Sequence, residues 1–328
     1  MSLPKFEFLR VKSLQEGLER LSQYKDEARV LAGGTDLLVS MKQRLIASPV
    51  ILSIQNLSEL NFIDYQENSK LRIGALTPIH SIRVSKLINT RYPILAQAAR
   101  QIGSIQLSHM GTLGGNLCLD TRCWYYNLPL FLRKARPFCL KMGGNICNII
   151  TKSKKCFAVY SGDLAPTLIA LGADIKLLST RGERIVPLHD FYTGDGKKPT
   201  IIESDEILAE VQVRFSSSNY GAYLKYRLRS GIDFPLASAA VVLEKENGIF
   251  SGAKIVLGAI GSRPIALEEI EKVFVGKKID DDMVEIASQE AYRKARPVNN
   301  VASTPSTRRN MVKILVNRAF ENALKSSL

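Results

Sequence analysis

The sequence predicts an α+β protein in two parts, and three observations carry that reading. Strand-like and helix-like segments are mixed without the regular βαβ alternation of a doubly wound sheet. A polar run, Ser216-Ser217-Ser218-Asn219-Tyr220-Gly221, interrupts the chain just before its texture changes at Tyr223. With 328 residues, 45% of them hydrophobic, there is enough chain for two domains and a sizeable core. The expected domains are therefore residues 1–218 and 219–328.

The elements follow from periodicity. Residues 13–24 read as an amphipathic helix, with Leu14, Leu18 and Leu21 on one face. Residues 28–32 form a short strand that runs straight into Gly33-Gly34-Thr35-Asp36, and 50–54 and 71–73 read as further strands. Residues 93–102 carry Ile94, Leu95, Ala98 and Ile102 at helical spacing. An apolar helical turn at 167–172 precedes strands at 174–178 and 206–215, the latter only partly alternating. In the second part, 237–244 and 253–259 are strand-like, and 280–292 and 308–324 helical. There is no internal repeat and no low-complexity tract.

Composition narrows the function classes. No apolar run approaches the ~18 residues of a membrane helix, so no membrane insertion is expected. The opening Met1-Ser2-Leu3-Pro4-Lys5 lacks a secretory apolar region, which leaves the cytoplasm as the expected compartment. Disulfides are rare there, and clustered cysteines lean towards metal or redox chemistry. The net charge is +14, yet no long basic run or aromatic-basic repeat marks a nucleic-acid groove, and no nucleic-acid partner is expected. Residues 121–160 instead concentrate eight Lys or Arg with no Asp or Glu.

Two glycine segments are candidate phosphate nests, since successive glycines let backbone N–H groups converge on an anion. They are Val30-Leu31-Ala32-Gly33-Gly34-Thr35-Asp36-Leu37 and Met110-Gly111-Thr112-Leu113-Gly114-Gly115-Asn116. Either alone reads more readily as a tight turn after a strand, and neither is a Rossmann fingerprint or a P-loop. Cys123, Cys139, Cys147 and Cys156 are spaced C-x15-C, C-x7-C and C-x8-C. Four thiolates can bind zinc or a [4Fe–4S] cluster, and this spacing does not choose between them. They could also be four unconnected thiols. A basic shell would offset the negative charge of a thiolate-ligated cluster. Cys118 reads as a small core residue, and His80, His109 and His189 as isolated structural or surface residues. No motif supports a hydrolase.

In this order, Ala32-Gly33-Gly34-Thr35-Asp36, Thr112-Leu113-Gly114-Gly115-Asn116, Asp163-Leu164-Ala165-Pro166, Leu171-Gly172-Ala173, Glu206-Ile207-Leu208 and Lys225-Tyr226-Arg227 resemble the FAD-binding medium subunits of the xanthine dehydrogenase and carbon monoxide dehydrogenase family. The likeness continues through Asp233 to Arg308-Arg309 and Leu315 and spans nearly the whole chain. The roughly 40 residues that separate the second glycine segment from Asp163 hold the four cysteines. With Asp120-Thr121-Arg122-Cys123 and Ser153-Lys154-Lys155-Cys156, this stretch resembles the insertion of the 4-hydroxybenzoyl-CoA reductase branch. Flavin subunits of some aldehyde oxidoreductases are a close rival.

The resemblance implies a two-subdomain FAD-binding domain of the vanillyl-alcohol-oxidase (PCMH) type, with a [4Fe–4S] insertion at about 121–160. A small α+β C-terminal domain, a three-stranded sheet with helices, would follow. Val30, Leu31, Ala32, Gly33, Gly34, Thr35, Asp36 and Leu37, with Thr112, Leu113, Gly114, Gly115 and Asn116, would hold the FAD diphosphate and ribityl region. Ile102 would lie near the flavin ring, and Asp163, Leu208 and Lys225 match later flavin-contacting positions. Cys123, Cys139, Cys147 and Cys156 would each ligate one iron. The chain would carry no substrate-converting residue. A large subunit with a molybdenum cofactor and a small subunit with [2Fe–2S] clusters would complete a heterotrimer, often paired. In the reductase branch electrons would come from a ferredoxin-like donor; in an aldehyde or N-heterocycle oxidoreductase they would flow outward. A zinc-stabilised binding protein without flavin is the reading from another class.

Overall fold

Three sheets organise the chain, which a computed structural model describes over residues 2–66, 69–214, 220–246, 249–274, 277 and 279–325. The first sheet is parallel: β1 (Glu7–Arg10), β2 (Ala28–Leu31) and β3 (Val50–Ser53), with β3 in the middle. Every residue of β3 is buried, as a central parallel strand covered on both faces requires. The helix Leu14–Tyr24 covers one face, its Leu18 and Leu21 packing with Val50 and Leu52. Ser13 caps it by accepting from the Glu16 N–H at 3.2 Å.

The second sheet is antiparallel. It takes β4 (Ile63–Gln66), β5 (Lys70–Gly74), β6 (Asp174–Ser179), β7 (Gly182–Pro187) and β8 (Ile207–Arg214) in the spatial order β4-β5-β8-β6-β7. The partial alternation of β8 has a cause: Ile207 and Ala209 pack into the core of the first sheet, whereas Leu208, Val211 and Val213 join the largest core. Helices Pro93–Arg100 and Leu164–Ala170 fill that core from above.

The third sheet holds β9 (Tyr220–Tyr226), β10 (Ala237–Glu246), β11 (Ile249–Gly258) and β12 (Ile265–Ala266), all antiparallel. Beyond the three strands the resemblance implied, the two-residue β12 adds a short fourth on the edge. Strand alternation splits β10 between two cores: Ala240 and Val242 pack into the core beneath the second sheet, and Ala239, Val241 and Leu243 on the helices Asp281–Lys294 and Pro305–Lys325. Of the polar run that marked the expected boundary, residues 216–219 lie outside the described residues. Among the described residues no helix is long and apolar enough to cross a membrane.

The cysteine-bearing stretch leaves and rejoins the fold at one place. Arg122 and Val159 pair antiparallel, each N–H donating to the other's carbonyl (2.9 and 2.8 Å). Inside lie the short helix Leu130–Lys134 and a turn at Leu140–Met142.

Candidate functional site

The two glycine segments meet backbone to backbone. β2 ends at Leu31, and Gly34 turns the chain with φ +74. Gly33 lies so close to the second segment that a Cβ there would stand 1.8 Å from the Met110 carbonyl oxygen. The second segment is fixed to the end of β5, since Gly114 N–H donates to Ala75 O (2.8 Å) and Leu113 N–H to Thr77 O (3.0 Å). Thr112 Oγ1 then accepts from Gly115 N–H at 3.1 Å and starts the helix Leu113–Leu117.

A cleft of about 1240 Å³ runs along this junction, larger than the ~300–1,000 Å³ usual for a small ligand. Of the expected residues, Val30, Ala32, Gly33, Gly34, Thr35, Asp36, Leu37, Ile102, Thr112, Gly115, Asn116 and Asp163 line it, and so does Cys123. Leu31, Leu113 and Leu208 instead belong to the buried cores behind it, and Gly114 sits against Ala75. Lys225 is also behind the wall, and reaches the cleft only through Asp163.

Asp163 anchors that wall. Its Oδ1 accepts from the Tyr223 hydroxyl at 2.6 Å and its Oδ2 from Lys225 Nζ at 3.0 Å. Burial pushes the Asp163 carboxyl up, against the pull of Lys225 and Tyr223; burial likewise pushes Lys225 down, against the pull of Asp163. Lys225 Nζ also donates to the carbonyl of Gln101 (3.0 Å), the residue before Ile102. Asn116 ties the second glycine segment to the same corner, its Oδ1 accepting from Leu164 N–H at 3.1 Å.

Several contributors escaped the sequence reading. Arg122 enters the cleft wall and pairs with Asp36 at 3.3 Å, and its buried Nε has no partner among the described residues. Burial raises the Asp36 carboxyl, and Arg122 opposes this. Tyr223 offered no motif. Ile232, also in the wall, holds a left-handed φ of 63 and donates its N–H to Gly103 O (3.1 Å). Cys118, expected in the core, is exposed along the cleft. His80 and His109, expected to be isolated, stack with ring centroids 3.8 Å apart.

The four expected ligands are free thiols, with Cys139, Cys147 and Cys156 buried and Cys123 half-buried. All four lie in the insertion between Arg122 and Val159. Cys123 feels the charges of Cys139 and Cys147, and Cys156 those of Cys147 and Cys123. Burial holds the Cys156 thiol up at about 11, opposed by the Ala158 N–H and by Lys141. Among the described residues, no three His, Cys, Asp or Glu side chains stand in a metal-holding arrangement. The thiols thus lie within one insertion without forming a metal-holding group among the described residues. Four sulfurs are the donor type of a soft or iron-sulfur centre, but as placed they do not form its ligand set. The cleft, with its close-packed glycines and orphan guanidinium nitrogen, suits an extended anionic dinucleotide.

Comparison with known proteins gives a consistent result. Residues 4–214 match the FAD binding domain in molybdopterin dehydrogenase, and residues 222–323 the CO dehydrogenase flavoprotein C-terminal domain. The chain is 29% identical to the glyceraldehyde dehydrogenase medium chain of Sulfolobus acidocaldarius, over 97% of this chain and 98% of that one. It is 24% identical to the xanthine dehydrogenase FAD-binding subunit of Escherichia coli O157:H7, over 92% and 90%. Among solved structures, the carbon monoxide dehydrogenase of Hydrogenophaga pseudoflava superposes with a TM-score of 0.83 at 26% identity, covering 99% of both chains.

Proposed function

The chain belongs to the FAD-binding medium-subunit family of the molybdopterin dehydrogenases, and from that premise we propose that it is the flavin- and [4Fe–4S]-bearing electron-transfer subunit of a 4-hydroxybenzoyl-CoA reductase. As an oxidoreductase subunit it holds FAD, which when bound exchanges two-electron for one-electron traffic. The chain's own residues position that cofactor. Backbone N–H groups of the two glycine segments would hold its diphosphate. Thr112 and Asn116 fix the second segment, while Asp163, braced by Lys225 and Tyr223, supplies a carboxylate on the cleft wall.

One observation carries the finer reading: four free thiols share a basic insertion between the second glycine segment and Asp163. Cys123, Cys139, Cys147 and Cys156 would hold the cluster. A molybdenum-bearing large subunit and a [2Fe–2S] small subunit complete the proposed cytoplasmic complex. The surplus of cations in the insertion supports an acidic, ferredoxin-like donor. A second reading is favoured by the likeness to the glyceraldehyde dehydrogenase medium chain: an aldehyde or N-heterocycle oxidoreductase, with current running outward to an acceptor.

Anaerobic purification with iron, sulfide, zinc and flavin analysis tests the first step. About four irons and one FAD per chain are expected; zinc without flavin, even after FAD is added back, refutes the proposal. Mixing the holoenzyme with substrates decides direction. Reoxidation of the reduced flavin by 4-hydroxybenzoyl-CoA supports the reductase, and bleaching of the oxidised flavin by an aldehyde supports the second reading.

A further inference from the structure

Four aspartates line the cleft, and each is paired with a cation. Two of the cations come from β9 and the loop after it: Lys225 Nζ stands 3.0 Å from Asp163 Oδ2, and Arg229 Nε 3.0 Å from Asp233 Oδ1. The other two come from the cysteine insertion. Arg122 Nη2 donates to Asp36 Oδ1 at 3.3 Å, and Lys141 Nζ to Asp120 Oδ1 at 2.6 Å. Arg122 and Lys141 line the cleft themselves.

Both insertion cations are held in place by further bonds. Arg122 sits at the base of the insertion, where its backbone pairs with Val159. Its Nη1 donates to Asn127 Oδ1 (3.1 Å), and its Nη2 also donates to Ser40 Oγ (2.5 Å). The Lys141 side chain is 6% exposed, and its Nζ donates to Thr121 O and Thr121 Oγ1, both at 2.9 Å.

The two aspartates they meet are neighbours on one wall. The Asp120 N–H donates to the Asp36 carboxylate. Burial lifts the Asp36 carboxyl, Arg122 pulls it down, and the Asp120 charge lifts it further. Asp36 directly follows Gly33-Gly34-Thr35 of the first glycine segment. Without their cations, these two carboxylates would set two negative charges beside a site for a diphosphate, and like charges repel most strongly where water is scarce.

We propose that Arg122 and Lys141 make the insertion part of the dinucleotide site: they neutralise Asp36 and Asp120, so that the wall beside the first glycine segment accepts a diphosphate. The inference rests on FAD as the cofactor. It needs no metal, since both ion pairs are formed by the chain alone.

FAD added back to the flavin-free full chain, followed by flavin fluorescence with metal content matched across samples, tests this. Arg122→Gln is expected to weaken FAD binding on the order of tenfold. Adding Asp36→Asn to that variant should restore most of the affinity, because the carboxylate that Arg122 balanced is gone. An arginine that only braced the backbone would give a double variant as weak as Arg122→Gln or weaker. Lys141→Met, alone and with Asp120→Asn, forms a second pair with the same expected loss and recovery. Wild-type affinity in either folded single variant, or no recovery in its double variant, overturns the proposal. Should one single variant fail to fold by circular dichroism, the other pair decides. A wild-type chain that binds no FAD refutes the flavin reading and this proposal with it, whereas intact wild-type binding with unresponsive variants refutes the proposal alone.

Discussion

Lys225 Nζ lies 3.0 Å from Asp163 Oδ2 with the two side chains 1% and 5% exposed, and this pair, beside the Tyr223 hydroxyl, joins β9 of the C-terminal sheet to the wall of the cleft. Breaking a buried pair from one side strands the other charge. Lys225→Met should therefore cost about 3–5 kcal/mol, measured by urea denaturation of the full chain. The double variant Lys225→Met, Asp163→Asn should recover part of that loss, because no carboxylate is left unpaired.

Gly33 is the position where a single methyl decides cofactor binding. The Cβ of Gly33→Ala would stand 1.8 Å from a backbone oxygen that no rotamer change can move. The glycine segments must part, and FAD affinity should fall on the order of a hundredfold, about 2.8 kcal/mol of binding free energy. Titration of flavin fluorescence reads it. Gly182→Ala is the control: at φ 125 with nothing within 4 Å and outside the cleft lining, it should lose only ~1–3 kcal/mol of stability and leave FAD binding unchanged.

Two carboxylates in β8 and at its entrance set an acid limit on stability. Burial alone would raise Glu206 and Glu210, but the forks of Arg184 and Arg72 outweigh it and hold both below the ordinary glutamate value of 4.5. Groups with a depressed folded pKa stabilise fully above the unfolded value, and that contribution disappears as pH falls through the folded value. The part of the melting temperature these two groups supply should be constant above 4.5 and fall away below it. In Glu206→Gln that drop should be shallower.

Arg308 is 1% exposed, and burial lowers its guanidinium to about 10. It is held by three carbonyls, Leu236 O at 2.8 Å, Val298 O at 2.8 Å and Ala259 O at 2.6 Å. Arg308→Met leaves these acceptors buried and unmatched, at about 1–3 kcal/mol each. Thermal unfolding of the full chain should show this as one of the largest losses available to any single change in the C-terminal helices.

Long periodic segments were readable in the sequence. The helix at 13–24, the strand into Gly33 and the helices after 280 and 308 were expected within a few residues of where they lie. The short helices Ile79–Val84, Lys86–Arg91 and Ile105–Met110 were not, since six residues make under two turns and leave no period to detect. The glycine segments were visible as weak motifs. Their mutual contact was not, because it joins residues nearly eighty apart. Leu208 and Lys225 came from family likeness alone, and both lie behind the cleft. Tyr223 and Ile232 act through a hydroxyl reaching 60 residues back and through a backbone angle, neither of which a pattern of residue types records.

The paired backbones of Arg122 and Val159 have one more consequence, for how such a chain can arise. Asn116 already touches Leu164 across 48 residues, so the path from the second glycine segment to Asp163 is complete without the detour between them. A cysteine-bearing loop can be spliced in or cut out there without re-threading any sheet. The carbonyls of Gln43, Arg44 and Leu45 tie the loop in, because a chain that lost it would have to find them new donors.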